Sequence, residues 1–187
     1  MKFTTFLIAT LLTLTSATPT PTLSKRTTTI AHITPSDVVL LKQASPDTST
    51  SSISHGIVAR TTNNNDITTL FTFYYANASP EWSNYKCRLH FTNPTSVNPT
   101  SPRLQLFTIG SNVTTGATWN KRPFRNNHVG TVKVVSGGEG VWELGGEVPC
   151  PTAPYSRVGY ELVATGDMSR VEWEVFTAGI SVDVIAP

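Results

Sequence analysis

Two glutamates near the carboxyl end of the chain have the spacing of a catalytic pair. Glu172 and Glu174 alternate with Val171, Trp173 and Val175, as in a strand with one apolar face. Residues two apart on a strand point to the same side, about 6.6 Å apart at a rise of ~3.3 Å per residue. This distance touches the ~6.5 to 9.5 Å range of inverting glycosidases. Such enzymes place their carboxyl groups on opposite sides of the scissile bond, so we interpret this pair as a solvated strand face.

Other catalytic and metal-binding patterns are absent from the sequence. No Gly-x-Ser-x-Gly turn occurs, and the four histidines, at positions 32, 55, 90 and 128, belong to no motif for hydrolysis or metal binding. We therefore assign no catalytic residue, no metal ligand and no cofactor. A hydrolase of unrecognised type is kept as an alternative, because sequence order does not exclude a scattered triad.

Three tryptophans are candidates for ligand binding. Trp82, Trp119 and Trp142 each border a turn or an Asn, Gly or Pro residue, so we expect their rings to be partly exposed, whereas Trp173 is expected in the core. Flat pyranose faces stack on exposed aromatic rings, which gives sugar binding a physical basis. Packing of these rings under loops is the alternative.

Basic side chains gather at two places that could receive an acidic ligand. One is a patch formed by Lys121, Arg122 and Arg125, and the other is a strand face on which His90 lies beside two further basic residues. An ordinary solvated surface explains either group more simply, so neither is assigned as a site.

The elements that position these residues follow a segment typical of export. Lys2 precedes an apolar run from Phe6 to Leu14, and small residues follow up to Ala17. About ten apolar residues are too few to cross a bilayer of ~30 Å, but they suit a secretory signal. We predict a signal peptide over residues 1–17, a propeptide or linker over 18–26 ending at Lys25-Arg26, and one secreted domain over 27–187.

The charge of the mature chain argues against two classes of partner. Removing residues 1–26 lowers the number of Lys and Arg from 14 to 11, against 12 Asp and Glu, so the net charge becomes about −1. Nucleic acids and anionic membranes attract a surplus of basic residues, which is missing. We expect a monomer without membrane insertion, whose partner is a polysaccharide or an extracellular protein.

The two cysteines, Cys87 and Cys150, are predicted to form a disulfide, because an exported chain meets an oxidising environment. Two buried thiols are the alternative. We expect the bond to tie the two layers of the fold together. Two acceptor sequons, at Asn77 and Asn112, predict glycosylation, with Asn112 favoured because Pro80 directly follows the first sequon.

Short alternating stretches indicate an all-β fold. The clearest runs from Tyr85 to Phe91, where every second residue is apolar or a cysteine. Similar patterns or apolar runs occur at 38–41, 70–75, 104–109, 129–135, 141–148, 158–162, 171–175 and 180–184, which makes roughly nine strands. Gly- and Pro-rich turns separate them, and 43–54 and 61–66 are expected to be loops. We predict a single-domain antiparallel two-sheet β-sandwich of jelly-roll or Greek-key type, with one disulfide.

Between residues 72 and 184 the chain resembles a known family. The resemblance rests on Cys87-Arg88-Leu89-His90-Phe91, on the segment 117–123, on Val148-Pro149-Cys150-Pro151 with 158–161 after it, and on the closing pair of strands from Trp173 to Val182. These features are similar to fungal secreted proteins of the ubiquitin-3-binding But-two carboxy-terminal domain family. The resemblance implies a small β-sandwich and no settled biochemical activity. Residues 118–123 also resemble a short signature of secreted jelly-roll modules that bind polysaccharide.

The sequence thus predicts a secreted, non-catalytic β-sandwich protein that acts by binding at the cell wall or at an external or host surface. A carbohydrate-binding module and a secreted hydrolase are the alternatives for an exported chain. An adaptor of the ubiquitin pathway is the alternative inside the cell.

Overall fold

The computed structural model describes residues 27–51, 54–63, 65–99, 102–110, 113, 116–166 and 168–187. The predicted signal peptide (1–17), the segment 18–26 and the sequon residue Asn112 lie outside the described residues. No helix in the described part is long and apolar enough to cross a membrane.

The described chain forms β-strands and one short 3₁₀ helix, which confirms the predicted all-β class. The strands are β1 (Thr28–Ile33), β2 (Pro35–Lys42), β3 (Thr50–Ser51), β4 (His55–Arg60), β5 (Ile67–Tyr75), β6 (Lys86–Thr92), β7 (Ser96–Asn98), β8 (Arg103–Ile109), β9 (Arg125–Lys133), β10 (Val141–Leu144), β11 (Glu147–Pro149), β12 (Ser156–Ala164), β13 (Ser169–Glu174) and β14 (Gly179–Ala186); the 3₁₀ helix is Pro80–Asn84.

The strands form two antiparallel sheets. The smaller sheet has the order β1-β14-β6-β11, and the larger follows the path β10-β9-β8-β12-β5-β4-β13-β7, with β2 paired to β5 and β3 to β2. Strands distant in sequence are neighbours in both sheets, as in Greek-key and jelly-roll sandwiches.

The main core lies between the two sheets because alternate residues of their strands are apolar. Phe71 and Leu106 of the larger sheet and Leu89 and Val182 of the smaller sheet are almost fully buried in one cluster. Trp173, expected in the core, is 2 % exposed. The sequence alternation therefore predicted the inward faces correctly, since period-two patterning identifies the side of a strand that is removed from water.

Trp173 occupies a narrow slot between two glycines. A Cβ atom placed on Gly56 would lie 2.1 Å from its ring, and one placed on Gly179 would lie 2.0 Å from it. Gly179 also has φ of +79°, a conformation that L side chains rarely adopt. The indole packs in a T-shaped arrangement against the ring of Phe91 in the facing sheet, with 5.3 Å between the ring centroids. The absence of side chains at two positions thus lets a large ring join the two sheets.

A second, smaller cluster lies on the outer face of the larger sheet. It contains Val39, Leu41, Leu70, Ile109 and Ala117, and the ring of Trp119 packs against it. Leu70 alternates with the core residues of β5, so this cluster is on the side of the sheet away from the main core. The chain after β8 therefore returns over the outer face and covers it.

The predicted disulfide between Cys87 and Cys150 is present, with Cα atoms 5.2 Å apart. The expectation that it ties the two layers together was wrong. Cys87 lies on β6 and Cys150 directly follows β11, and these strands are neighbours in the smaller sheet. The bond therefore fastens a short edge strand to its own sheet.

Some strands were not predicted. β1 and β7 lie at sheet edges, β4 lies inside the larger sheet between β5 and β13, and β3 lies within the predicted loop 43–54. The predicted run 141–148 is divided into β10 and β11 by two glycines with positive φ, Gly145 and Gly146.

Candidate functional site

A fully buried carboxylate lies on the outer face of the larger sheet. Glu161, on β12, has no exposed surface although period two places it opposite the core residues Tyr160 and Leu162. Arg125 donates to it twice, from Nε to Oε2 at 2.6 Å and from Nη2 to Oε1 at 2.9 Å. Thr68 Oγ1 donates to Oε1 at 2.9 Å. This hydrogen bonding provides the partners that a buried charge requires.

Arg122 and Trp119, which lie between β8 and β9, cover the carboxylate of Glu161. Arg122 Nη1 lies 3.7 Å from Glu161 Oε1, and its guanidinium stands 4.6 Å from the ring centroid of Trp119. A guanidinium stacks well on an indole face, so Trp119 holds Arg122 in place. The indole in turn is fixed by the small outer cluster beneath it.

These residues border a cavity of about 230 Å³, which we call the arginine cavity. Its lining includes Arg60, Gln105, Trp119, Arg122 and Arg125. The hydrogen bond to Glu161 raises the pKa of Arg125, against the effect of partial burial, so its charge is fixed. Arg60 Nε is 4.0 Å from Asp66, which also lines the cavity.

The electrostatics of the arginine cavity favour an anion. Three guanidinium groups face two carboxylates, so the local charge is positive by one. Glu161 is already bonded by Arg125, and the contacts of Arg60 and Arg122 are longer than hydrogen bonds. Guanidinium donors matched to a planar acid can bind a carboxylate bidentately.

The three candidate tryptophans do not form one exposed surface. Trp119 is half-buried and lines the arginine cavity. Trp82, expected to be partly exposed, is only 6 % exposed, because the 3₁₀ helix directs its ring into the main core, where it forms a T-shaped pair with Tyr75. Trp142 is half-buried against the main core, close under Gly146.

The basic patch of Lys121, Arg122 and Arg125 divides into two parts. All three residues are exposed to solvent, but of the three only the two arginines are directed at Glu161. The patch was recognisable in the sequence, but its acidic partner was not. Glu161 is 36 residues from Arg125, and nothing in the pattern of β12 distinguishes it from a solvated glutamate.

The other polar residues singled out in the sequence make surface contacts. Glu174 lies 3.0 Å from His55, and Glu172 is bonded to Arg170 on the same strand. His90 contacts Glu139 at 2.6 Å. The two basic residues beside it on the strand, Lys86 and Arg88, pair with Glu147.

A second polar group lies on the smaller sheet. His32 Nδ1 is 2.6 Å from Asp183, and His90 Nε2 is 3.4 Å from the other oxygen of the same carboxylate. Across the part of the chain that the structure describes, no three His, Cys, Asp or Glu residues are arranged to hold a metal ion. Asn77, the described sequon residue, is exposed just after β5.

Comparison with protein families places these features in a known group. Residues 33–175 match the family described as the ubiquitin 3 binding protein But2 C-terminal domain. The matched range starts and ends earlier than the resemblance at 72–184 and includes every residue of the arginine cavity. A comparison with curated proteins finds no match. Because the family match covers more than half of the sequence, the chain belongs to the But2 C-terminal domain family.

Proposed function

We propose that this chain is an exported, non-enzymatic binding protein that acts at the cell wall or another external surface through the arginine cavity. Family membership supports a binding role, and the apolar N-terminal run supports export. The observation that carries the proposal is the convergence of Arg60, Arg122 and Trp119 on one cavity above a carboxylate that is already neutralised.

The ligand that suits this cavity carries a carboxylate. Its acid group would meet the free donors of Arg60 and Arg122, and the attached ring would lie against the edge of Trp119. A uronic acid unit of a polysaccharide has both parts. The description of the family names a protein partner and no polysaccharide, so this assignment depends on the chemistry of the cavity alone.

Replacing Arg122 by glutamine is expected to weaken binding to immobilised polygalacturonate at least tenfold. The change removes a charged donor from the cavity, while Arg125 still bonds Glu161. Retention of the purified protein on the matrix at rising salt measures the effect, since screening weakens such contacts. Lys121→Gln is the matched control, because it removes an equal charge from the neighbouring exposed position.

The proposal fails if the unmodified protein passes through the polygalacturonate column at low salt. It also fails if Lys121→Gln weakens retention as much as Arg122→Gln. Thermal midpoints of both variants, measured on the same samples, show whether the folded fraction is equal.

A ubiquitin-related protein inside the cell is the second candidate partner, because the family description names binding of ubiquitin 3. Export of the chain distinguishes a ubiquitin-related partner inside the cell from a partner at an external surface. We expect a C-terminally tagged chain in the culture medium, beginning after residue 17 or, with cleavage at Lys25-Arg26, at Thr27. Immunoblotting and N-terminal sequencing measure this; a full-length chain confined to the cell would favour the intracellular partner.

A further inference from the structure

An exposed aromatic ring stands on the same outer face as the arginine cavity, near the opposite end of β12. Tyr155, directly before β12, is 69 % exposed. Its ring stacks on Tyr74, with centroids 6.4 Å apart and planes inclined by 23°. Tyr74 thus supports one face of the Tyr155 ring.

A charged pair, Arg157 and Asp37, lies next to the two stacked tyrosine rings. The guanidinium of Arg157 lies 4.9 Å from the ring centroid of Tyr74, and its Nη1 is 3.2 Å from Asp37 Oδ2. Ser36 Oγ donates to the same carboxylate oxygen at 2.7 Å. Arg157 and Asp37 are both partly exposed, so they present donors and acceptors to solvent beside the rings, with no net charge.

The backbone of Tyr155 is held in a costly conformation. Its φ is +62°, and among the described residues other than glycine only Asn93 shares a positive φ. Asparagine tolerates this region, whereas a bulky aromatic residue is a true outlier there. Such conformations concentrate at sites where the side chain has a function.

We propose that Tyr155, Tyr74, Arg157 and Asp37 form a binding site for a neutral pyranose ring. The apolar face of the sugar stacks on Tyr155, and its hydroxyl groups exchange hydrogen bonds with Arg157 and Asp37. The balanced charge of this pair selects a neutral ligand, in contrast to the arginine cavity. This site, which we call the tyrosine platform, is independent of the proposed function.

The platform is distinguished from other exposed aromatic residues by its support. Phe124 and Phe176 are exposed to a similar degree, 70 % and 69 %, but no ring in the described part stacks on either. In the described part of the chain, no arginine guanidinium lies over the ring of Phe124 or Phe176 as that of Arg157 lies over Tyr74. A flat ring fixed in orientation, flanked by hydrogen-bonding groups, is what stacking on a sugar requires.

Binding is tested with the full chain and three neutral probes, cellohexaose, laminarihexaose and chitohexaose. Saturation-transfer NMR identifies the sugar that binds, and calorimetry gives its affinity. We expect at least one probe to bind and Tyr155→Gly to weaken that binding at least tenfold. Because glycine accepts φ of +62°, the thermal midpoint of this variant should not fall.

Two controls keep the result specific. Phe176→Ala removes an equally exposed aromatic ring and should leave the affinity unchanged. Lys121→Gln, at an exposed position outside both sites, should also bind the hexasaccharide as the unmodified chain does. The probes are neutral, so failure of the arginine cavity to bind an acidic ligand would not affect this test. The proposal is overturned if none of the three probes binds at millimolar concentration, or if Tyr155→Gly binds as tightly as the unmodified protein.

Discussion

Replacing Arg125 by methionine is expected to lower the free energy of unfolding by about 3 kcal/mol, near the lower end of the range for leaving a buried charge unpaired, because Glu161 is fully buried while the Arg125 side chain is 37 % exposed. The change leaves the carboxylate of Glu161 without both of its hydrogen bonds from Arg125, in a position with no exposure to water. Thr68 and Arg122 still lie next to the carboxylate after the substitution. We therefore expect a loss of stability at the lower end of that range. Urea unfolding with the disulfide intact measures it.

The surface offers a matched control for this prediction. Arg103 makes the same two-point contact with Glu143, at 2.6 Å and 2.8 Å, but this pair is exposed. Arg103→Met should therefore change stability much less, because water screens the interaction and solvates the glutamate that remains. Equal losses in Arg103→Met and Arg125→Met would contradict the view that burial of Glu161 sets the effect.

A double substitution separates the charge from the packing. If the cost of Arg125→Met arises from an unpaired buried charge, adding Glu161→Gln should recover part of the lost stability, because a neutral amide is less costly to bury. A double variant that is less stable by the sum of the two single changes would contradict this explanation.

Removing the disulfide by Cys87→Ala with Cys150→Ala is expected to cost about 4 kcal/mol, from the entropy that the unfolded chain regains. The two cysteines are separated by 63 residues, so the bond closes a long loop in the unfolded state. Cys87 is also fully buried beside core residues, so truncation to alanine adds a small loss of packing. Denaturant unfolding of the double variant measures the total.

Reduction of the unmodified protein supplies the control, because it opens the loop and leaves both side chains in place. The reduced protein should lose most of what the double variant loses. If reduction lowers the midpoint of unfolding by less than half as much as the replacement of the two side chains does, packing and not chain entropy accounts for most of the stabilisation.

The sequence predicted those strands whose inner face is apolar along its whole length. β6 and β14 are examples, since every second residue enters the core and the period is undisturbed. β1 could not be recognised in this way, because it lies at a sheet edge and most of its side chains remain exposed. Its pairing with β14 depends on residues more than a hundred positions away.

The candidate site, like the strands, could be predicted only where its features are local in the sequence. Arg122 and Arg125 were visible as a basic patch, and Trp119 as a possible binding ring, because each is a local feature of the sequence. The burial of Glu161 depends on a segment that crosses back over the outer face of the sheet, and periodicity does not report such a crossing. Trp82 was misjudged for a related reason, since a neighbouring proline indicates a turn but not the direction in which the turn aims a side chain.

The pairing of β1 with β14 has a practical consequence for labelling and fusion. Thr28 is the register partner of Ala186, so chain attached before the first strand and chain attached after the last strand leave side by side from one rim of the molecule. A fluorescent protein or purification handle joined directly to Thr28 would therefore leave the molecule beside one joined after Ala186. In the exported chain that we propose, only a reporter attached after the last strand is retained when residues 1–17 or 1–26 are removed, so the C-terminal end is the one to label.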